Sequence, residues 1–99
     1  MNITKKVTFI AKEGHTPQLK TLLESMVTAS RQEEGCLHYS IYQFEKEMAR
    51  FVVVETWENE EALNGHKHSK HYIHYKSNYE VHVKDKSSDE LLPIGEDNF

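Results

Sequence analysis

The chain has 99 residues, enough for one domain, with 37% hydrophobic and 28% charged residues, a lean but globular composition. Its formal net charge of −4 argues against nucleic acid, whose phosphates need a basic face, and no apolar run is long enough to span a membrane. Met1–Lys6 lacks the apolar core of a signal peptide, and one cysteine, Cys36, cannot close an intrachain disulfide, so the expected compartment is the reducing cytoplasm.

Residues 3–12 alternate as a strand, with Ile3, Lys5, Val7, Phe9 and Ala11 on one face. Glu13-Gly14-His15 is a turn, and Thr16-Pro17 opens a helix with a capping hydroxyl and a proline at its start. Leu19, Leu22, Leu23, Met26 and Val27 form an apolar stripe along that helix, which is predicted to run on until Gly35 stops it. Residues 36–45 form a second strand bearing Leu37, Tyr39 and Ile41 on one side. Glu45–Ala49 reads as a hairpin loop, and Arg50–Glu58 as a third strand rich in valine and aromatics. On that strand Phe51, Val53, Glu55 and Trp57 share a face, so one carboxylate stands in an apolar row.

Asn59 caps a second helix with Glu60 and Glu61 in its first turn, where the helix dipole favours negative charge. Ala62, Leu63, His66 and Ile73 form one stripe, and Tyr72, Tyr75, Tyr79 and Val83 another. The offset between the stripes predicts a bend near Lys67–Lys70. The helix is predicted to reach about Lys84, leaving Ser87–Ile94 for a last strand that Pro93 restricts to an edge. Residues 1–94 are then one domain and 95–99 a tail. The order β-α-β-β-α-β is a ferredoxin-like α+β arrangement with an antiparallel sheet. Ile10, Val52 and Val54 make the sheet's other face apolar as well, which predicts a homodimer formed sheet to sheet.

Four linked motifs carry a family resemblance: Glu34-Gly35-Cys36-Leu37-His38-Tyr39; Glu55-Thr56-Trp57; Glu60-Glu61-Ala62-Leu63 with His66; and His71-Tyr72. Over roughly residues 5–84 the chain resembles the antibiotic biosynthesis monooxygenase family. The resemblance implies a dimeric α+β barrel with a pocket between sheet and helices in each subunit. It also implies oxidation of quinols and polycyclic phenols by molecular oxygen without a bound cofactor. Haem-degrading enzymes and an isomerase of a sugar-derived signal belong to the same family. The chain departs from the pattern at Glu34, where a proline is usual. It departs again at Val7-Thr8-Phe9, where haem-degrading relatives place an asparagine.

His66 lies on the buried stripe and is suited to take a proton near neutral pH. A buried Glu55 needs a partner, and His66 or His71 is the expected one; a histidine oriented by a carboxylate is what a general base requires. His66, Glu55 and His71 are therefore the candidate catalytic residues. Trp57, Tyr39, Tyr72 and Tyr75 are candidate substrate-binding residues, able to form a flat aromatic wall that excludes water, with His66 and Trp57 in one shared hollow. Each of these aromatics also suits a plain core role. His66, His68, His71 and His74 do not fall on one helix face, and no H-E-x-x-H accompanies them, so no metal is expected. No G-x-G-x-x-G or P-loop run is present, so no nucleotide cofactor is expected either. Cys36 makes a weak case as a reactive thiol.

The reading is an oxidoreductase, a cofactor-independent monooxygenase acting on a small quinol or polyphenol as a homodimer. The alternatives are an isomerase or haem-degrading activity in the same pocket, or a dimer that binds a small ligand without turnover.

Overall fold

The computed structural model describes residues 1–95; the expected tail lies, beyond Gly95, outside the described residues. The elements are β1 (Ile3–Ala11), α1 (Thr16–Glu24), α2 (Val27–Arg31), β2 (Cys36–Phe44), β3 (Glu47–Trp57), α3 (Glu60–Lys67), α4 (Lys70–Asn78) and β4 (Val83–Leu91), with one 3₁₀ turn at Glu80–His82. The four strands form one antiparallel sheet in the order β2-β3-β1-β4. The chain is a ferredoxin-like α+β domain.

The single first helix expected from the stripe is two. Ser25 breaks it: its hydroxyl donates to the Leu22 carbonyl at 2.6 Å, the competition by which serine disturbs a helix interior, and the next backbone bond tightens to Met26 N–H to Leu23 O. The cap position of α1 is held by His15 rather than Thr16, with no side-chain cap bond. The hairpin loop is shorter than expected, because β3 begins at Glu47.

The helix expected to reach Lys84 ends at Asn78, and β4 begins at Val83 rather than Ser87. The sheet decides this. Residues Thr4–Ala11 of β1 would otherwise leave an unpaired edge, and pairing with Val83–Leu91 satisfies it along the whole strand. β4 is an edge strand, and Pro93 lies past its end.

Between sheet and helices lie Phe9, Leu19, Leu23, Met26, Phe51 and Trp57, each at most 2% exposed. Leu63 and His66 of α3 join this layer, whereas Ile73, assigned inward by its spacing, is 54% exposed. The reason is local: α3 ends before Ile73, so the two residues no longer share a helix face. The break falls at His68-Ser69, within the expected bend. Ser69 caps α4 by accepting from Tyr72 N–H at 3.2 Å and donates its own hydroxyl to His66 O at 2.6 Å.

Among the described residues no helix packs on the opposite face of the sheet. Tyr42, Val52, Thr8 and Ser87 stand in one cross-strand row there, and Ser40, Val54, Lys6 and Asp89 in the next. Tyr42 is 56% exposed and Val52 and Val54 only partly covered. Among the described residues no helix is long and apolar enough to cross a membrane.

Candidate functional site

The site is assembled by a glycine. Gly35 has φ +82°, a conformation costly for other residues, and a Cβ there would lie 2.5 Å from Ala62 Cβ. Its carbonyl accepts Glu58 N–H at 2.8 Å. The start of β2 is thereby pressed against α3, and Glu33, two residues upstream, reaches the helix that carries His66.

His66 is 2% exposed. Asn59 starts its helix, its side chain accepting Ala62 N–H at 2.9 Å, and Leu63 one turn earlier anchors the same face in the core. His66 Nδ1 lies 2.6 Å from Glu33 Oε2, and His71 Nε2 lies 2.8 Å from the same oxygen. An ionised carboxylate offers only lone pairs, so both ring nitrogens are the protonated ones and donate. His66 Nε2 is then the basic nitrogen, with no hydrogen-bond partner among the described residues. The sequence reading paired Glu55 with a histidine; the structure corrects this. Glu55 Oε1 accepts from Trp57 Nε1 at 2.9 Å, because residues two apart on β3 share a face, and Glu33 holds both imidazoles. Glu33 went unseen because it lies 33 residues from His66; the signal available was an acidic side chain just before the glycine at the start of β2.

Rings surround His66: Trp57 at 4.5 Å and tilted by 32°, Tyr72 at 5.1 Å, His71 at 5.7 Å and Tyr39 at 5.8 Å between centroids. A cavity of about 130 Å³ borders His66, Glu55, Tyr39, Tyr72 and Tyr75. Trp57, expected in the same hollow, is 0% exposed and not part of its lining; it lies behind His66 and tethers Glu55. His71 is not in the lining either and touches the site through Glu33. A cavity of about 150 Å³ takes one benzene ring, so this one suits a single ring. Lys5, Lys67, Lys86 and Ser88 also line it; Lys67 and Ser88 are exposed, so the cavity reaches solvent there.

The three tyrosines hold their phenolic protons. Burial, followed by the Glu55 charge, raises the Tyr39 and Tyr72 phenols, and burial followed by Tyr72 raises Tyr75. They stay protonated at neutral pH. Cys36 lies elsewhere, and burial followed by Glu33 pushes its thiol up to about 11, so it is not a nucleophile near pH 7.

One atom each of Glu33, His66 and His71 lie within 4.8 Å of one another. Two imidazoles and a carboxylate can hold a divalent transition metal, and the same atoms are mutually satisfied by hydrogen bonds as they stand. Of the other clustered histidines, His68 donates to Asn64 O at 2.7 Å and His74 is exposed, so neither joins the cluster.

Known proteins share this architecture. The family model for antibiotic biosynthesis monooxygenase matches residues 3–78. Rv0793 of Mycobacterium tuberculosis, provisionally named a monooxygenase, is 30% identical over 69 residues, 70% of this chain and 67% of that protein. Its solved structure superposes with a TM-score of 0.90 at 25% identity, covering 97% of this chain and 98% of that one. The crystal structure of PA3566 from Pseudomonas aeruginosa gives a TM-score of 0.91 at 28% identity, covering 95% of each chain.

Proposed function

This chain belongs to the antibiotic biosynthesis monooxygenase family, and on that premise we propose that it oxidises a small quinol or phenol with molecular oxygen and no bound cofactor. One observation carries the reading: a carboxylate-held histidine, Glu33–His66 at 2.6 Å, borders a cavity of one-ring size.

Oxygen chemistry ordinarily rests on a metal or flavin. Without one, the substrate must be the reductant, and a deprotonated phenol is electron-rich enough. His66 Nε2 takes the hydroxyl proton, and Glu33, accepting from Nδ1, stabilises the imidazolium that forms. Tyr72 and Tyr75 hold the ring, and Trp57, packed against His66 and bonded to Glu55, keeps both side chains in place. The phenolate passes an electron to oxygen, the two radicals join at a ring carbon, and the peroxide formed there loses water. The balance closes without an external reductant: quinol plus O₂ gives hydroxyquinone plus water. One oxygen atom enters the product, and the ring C–H and O–H bonds supply the electrons and protons.

The test is turnover of a quinol under ¹⁸O₂. One labelled atom in the product and one in water supports the reading; unlabelled quinone with hydrogen peroxide would show simple oxidation instead. A second reading, ligand binding without turnover, rests on the three phenols of the lining, which suit a ring as well as a reaction. Thermal stabilisation by a quinol that is recovered unchanged favours it. The open face carrying Tyr42, Val52 and Val54 supports a homodimer formed sheet to sheet.

A further inference from the structure

Lys86 faces inward from β4, opposite Phe9 in the strand register. Its ammonium lies 4.5 Å from the centroid of Tyr79, 5.6 Å from Tyr75 and 5.7 Å from Phe9. Ring faces attract the cation but accept none of its N–H bonds in the ordinary sense. Among the described residues Lys86 donates no hydrogen bond, and no carboxylate lies within 4.0 Å of it. Lys86 lines the cavity together with Lys5 and Lys67, and the one carboxylate in that lining, Glu55, already accepts from Trp57. A chain of net charge −4 thus surrounds its one-ring cavity with excess positive charge. Desolvation, followed by the like charges of Lys76 and Lys5, lowers the Lys86 ammonium below its ordinary range, which is the condition an incoming anion relieves.

The rings give the direction. His66 touches Tyr72 at 5.1 Å, Tyr72 touches Tyr75 at 5.5 Å, and Tyr75 borders Lys86. His66, Tyr72, Tyr75 and Lys86 line the same cavity, so a ligand lying along Tyr72 and Tyr75 shares its surroundings with both the base and the ammonium.

We propose that the cavity selects single-ring phenols bearing a negative charge opposite the reacting hydroxyl, and that Lys86, assisted by Lys5, holds that charge. The inference rests on the cavity being a phenol site. The sequence did not reveal Lys86, because extending α4 to Lys84 left it in a connection between elements.

The experiment compares, by calorimetry, 3,4-dihydroxybenzoate, its uncharged amide and catechol, with wild type and Lys86→Met, a change that keeps the apolar stem. Wild type should bind the acid about tenfold more tightly than the amide, and added salt should weaken only the acid. In Lys86→Met the preference of acid over amide should fall to near unity. Equal binding of acid and amide by wild type overturns the proposal, and catechol binding in that case leaves the phenol site standing. Binding of none of the three overturns both. A preference unchanged in Lys86→Met also overturns it. Should that variant unfold, the wild-type comparison and its salt dependence still decide.

Discussion

Glu33 accepts from His66 at 2.6 Å across 33 residues of sequence, and this bond, rather than one to the buried Glu55, orients the candidate base. The same oxygen accepts from His71 at 2.8 Å, so one carboxylate fixes two imidazoles from α3 and α4 and sets which nitrogen of His66 is basic.

Glu33→Gln keeps an acceptor of the same shape but removes the charge that stabilises an imidazolium. The expected outcome is a kcat lower by about 100-fold with KM within about threefold of wild type, measured by oxygen uptake. A large rise in KM with normal kcat would mean that Glu33 shapes the cavity instead of assisting the proton.

Gly35→Ala should destabilise the fold by roughly 2 kcal/mol or more, from its left-handed backbone and from overpacking against Ala62. Chemical denaturation measures it. Adding Ala62→Gly should recover the part due to contact and leave the backbone cost, so the double variant should lie between Gly35→Ala and wild type.

Stability should fall above pH 9. Cys36 ionises at an ordinary 9.0 in the unfolded chain but at about 11 when folded, and Tyr39 and Tyr75 are raised above their ordinary 10.0. Above those unfolded values the unfolded chain has lost protons the folded chain keeps, so alkali favours unfolding. The contribution is full below pH 9 and is lost as pH climbs through the folded values. Lys86, lowered by burial and like charges, works the other way below its ordinary 10.5. Thermal melts of Tyr75→Phe should therefore show a shallower alkaline loss than wild type. An unchanged slope would mean that this phenol ionises equally in both states.

Val54→Lys, on the face without helices, should convert a dimer to a monomer in sedimentation velocity while leaving the far-ultraviolet circular dichroism unchanged. Placing an ammonium among Ile10, Val52 and Tyr42 of an apposed sheet is a desolvation cost that an exposed sheet face would not incur. An unaltered sedimentation coefficient would place any dimer contact elsewhere.

Treatment with a chelator should leave oxygen uptake unchanged, because the substrate supplies the electrons. Activity lost with chelation and restored by a divalent metal would reassign Glu33, His66 and His71 as ligands.

Local signals in the sequence were reliable where the structure is local. Alternation placed β1 and the inward face of β3, Asn59 placed the start of α3, and the offset stripes placed the break at His68-Ser69. The Ser25 break and the start of β4 were hidden for different reasons. Ser25 acts through a single hydroxyl on a neighbouring carbonyl, which leaves the apolar stripe intact, and β4 exists because β1 has an edge to fill, a demand lying some 75 residues away. The site divides in the same way. His66 was legible from its stripe. Glu33 and Lys86 were not, because a turn at Gly35 brings one to the cluster and the β1 register brings the other to the cavity.

The most direct measurement is oxygen uptake by wild type and His66→Gln with a one-ring quinol, at matched folding by circular dichroism. Removal of the base should slow uptake by about 100-fold or more, with the residual rate insensitive to the further loss of Glu33. Equal uptake by both proteins, or none by wild type with any quinol that it binds, would contradict proton removal by His66 as the step on which the chemistry depends.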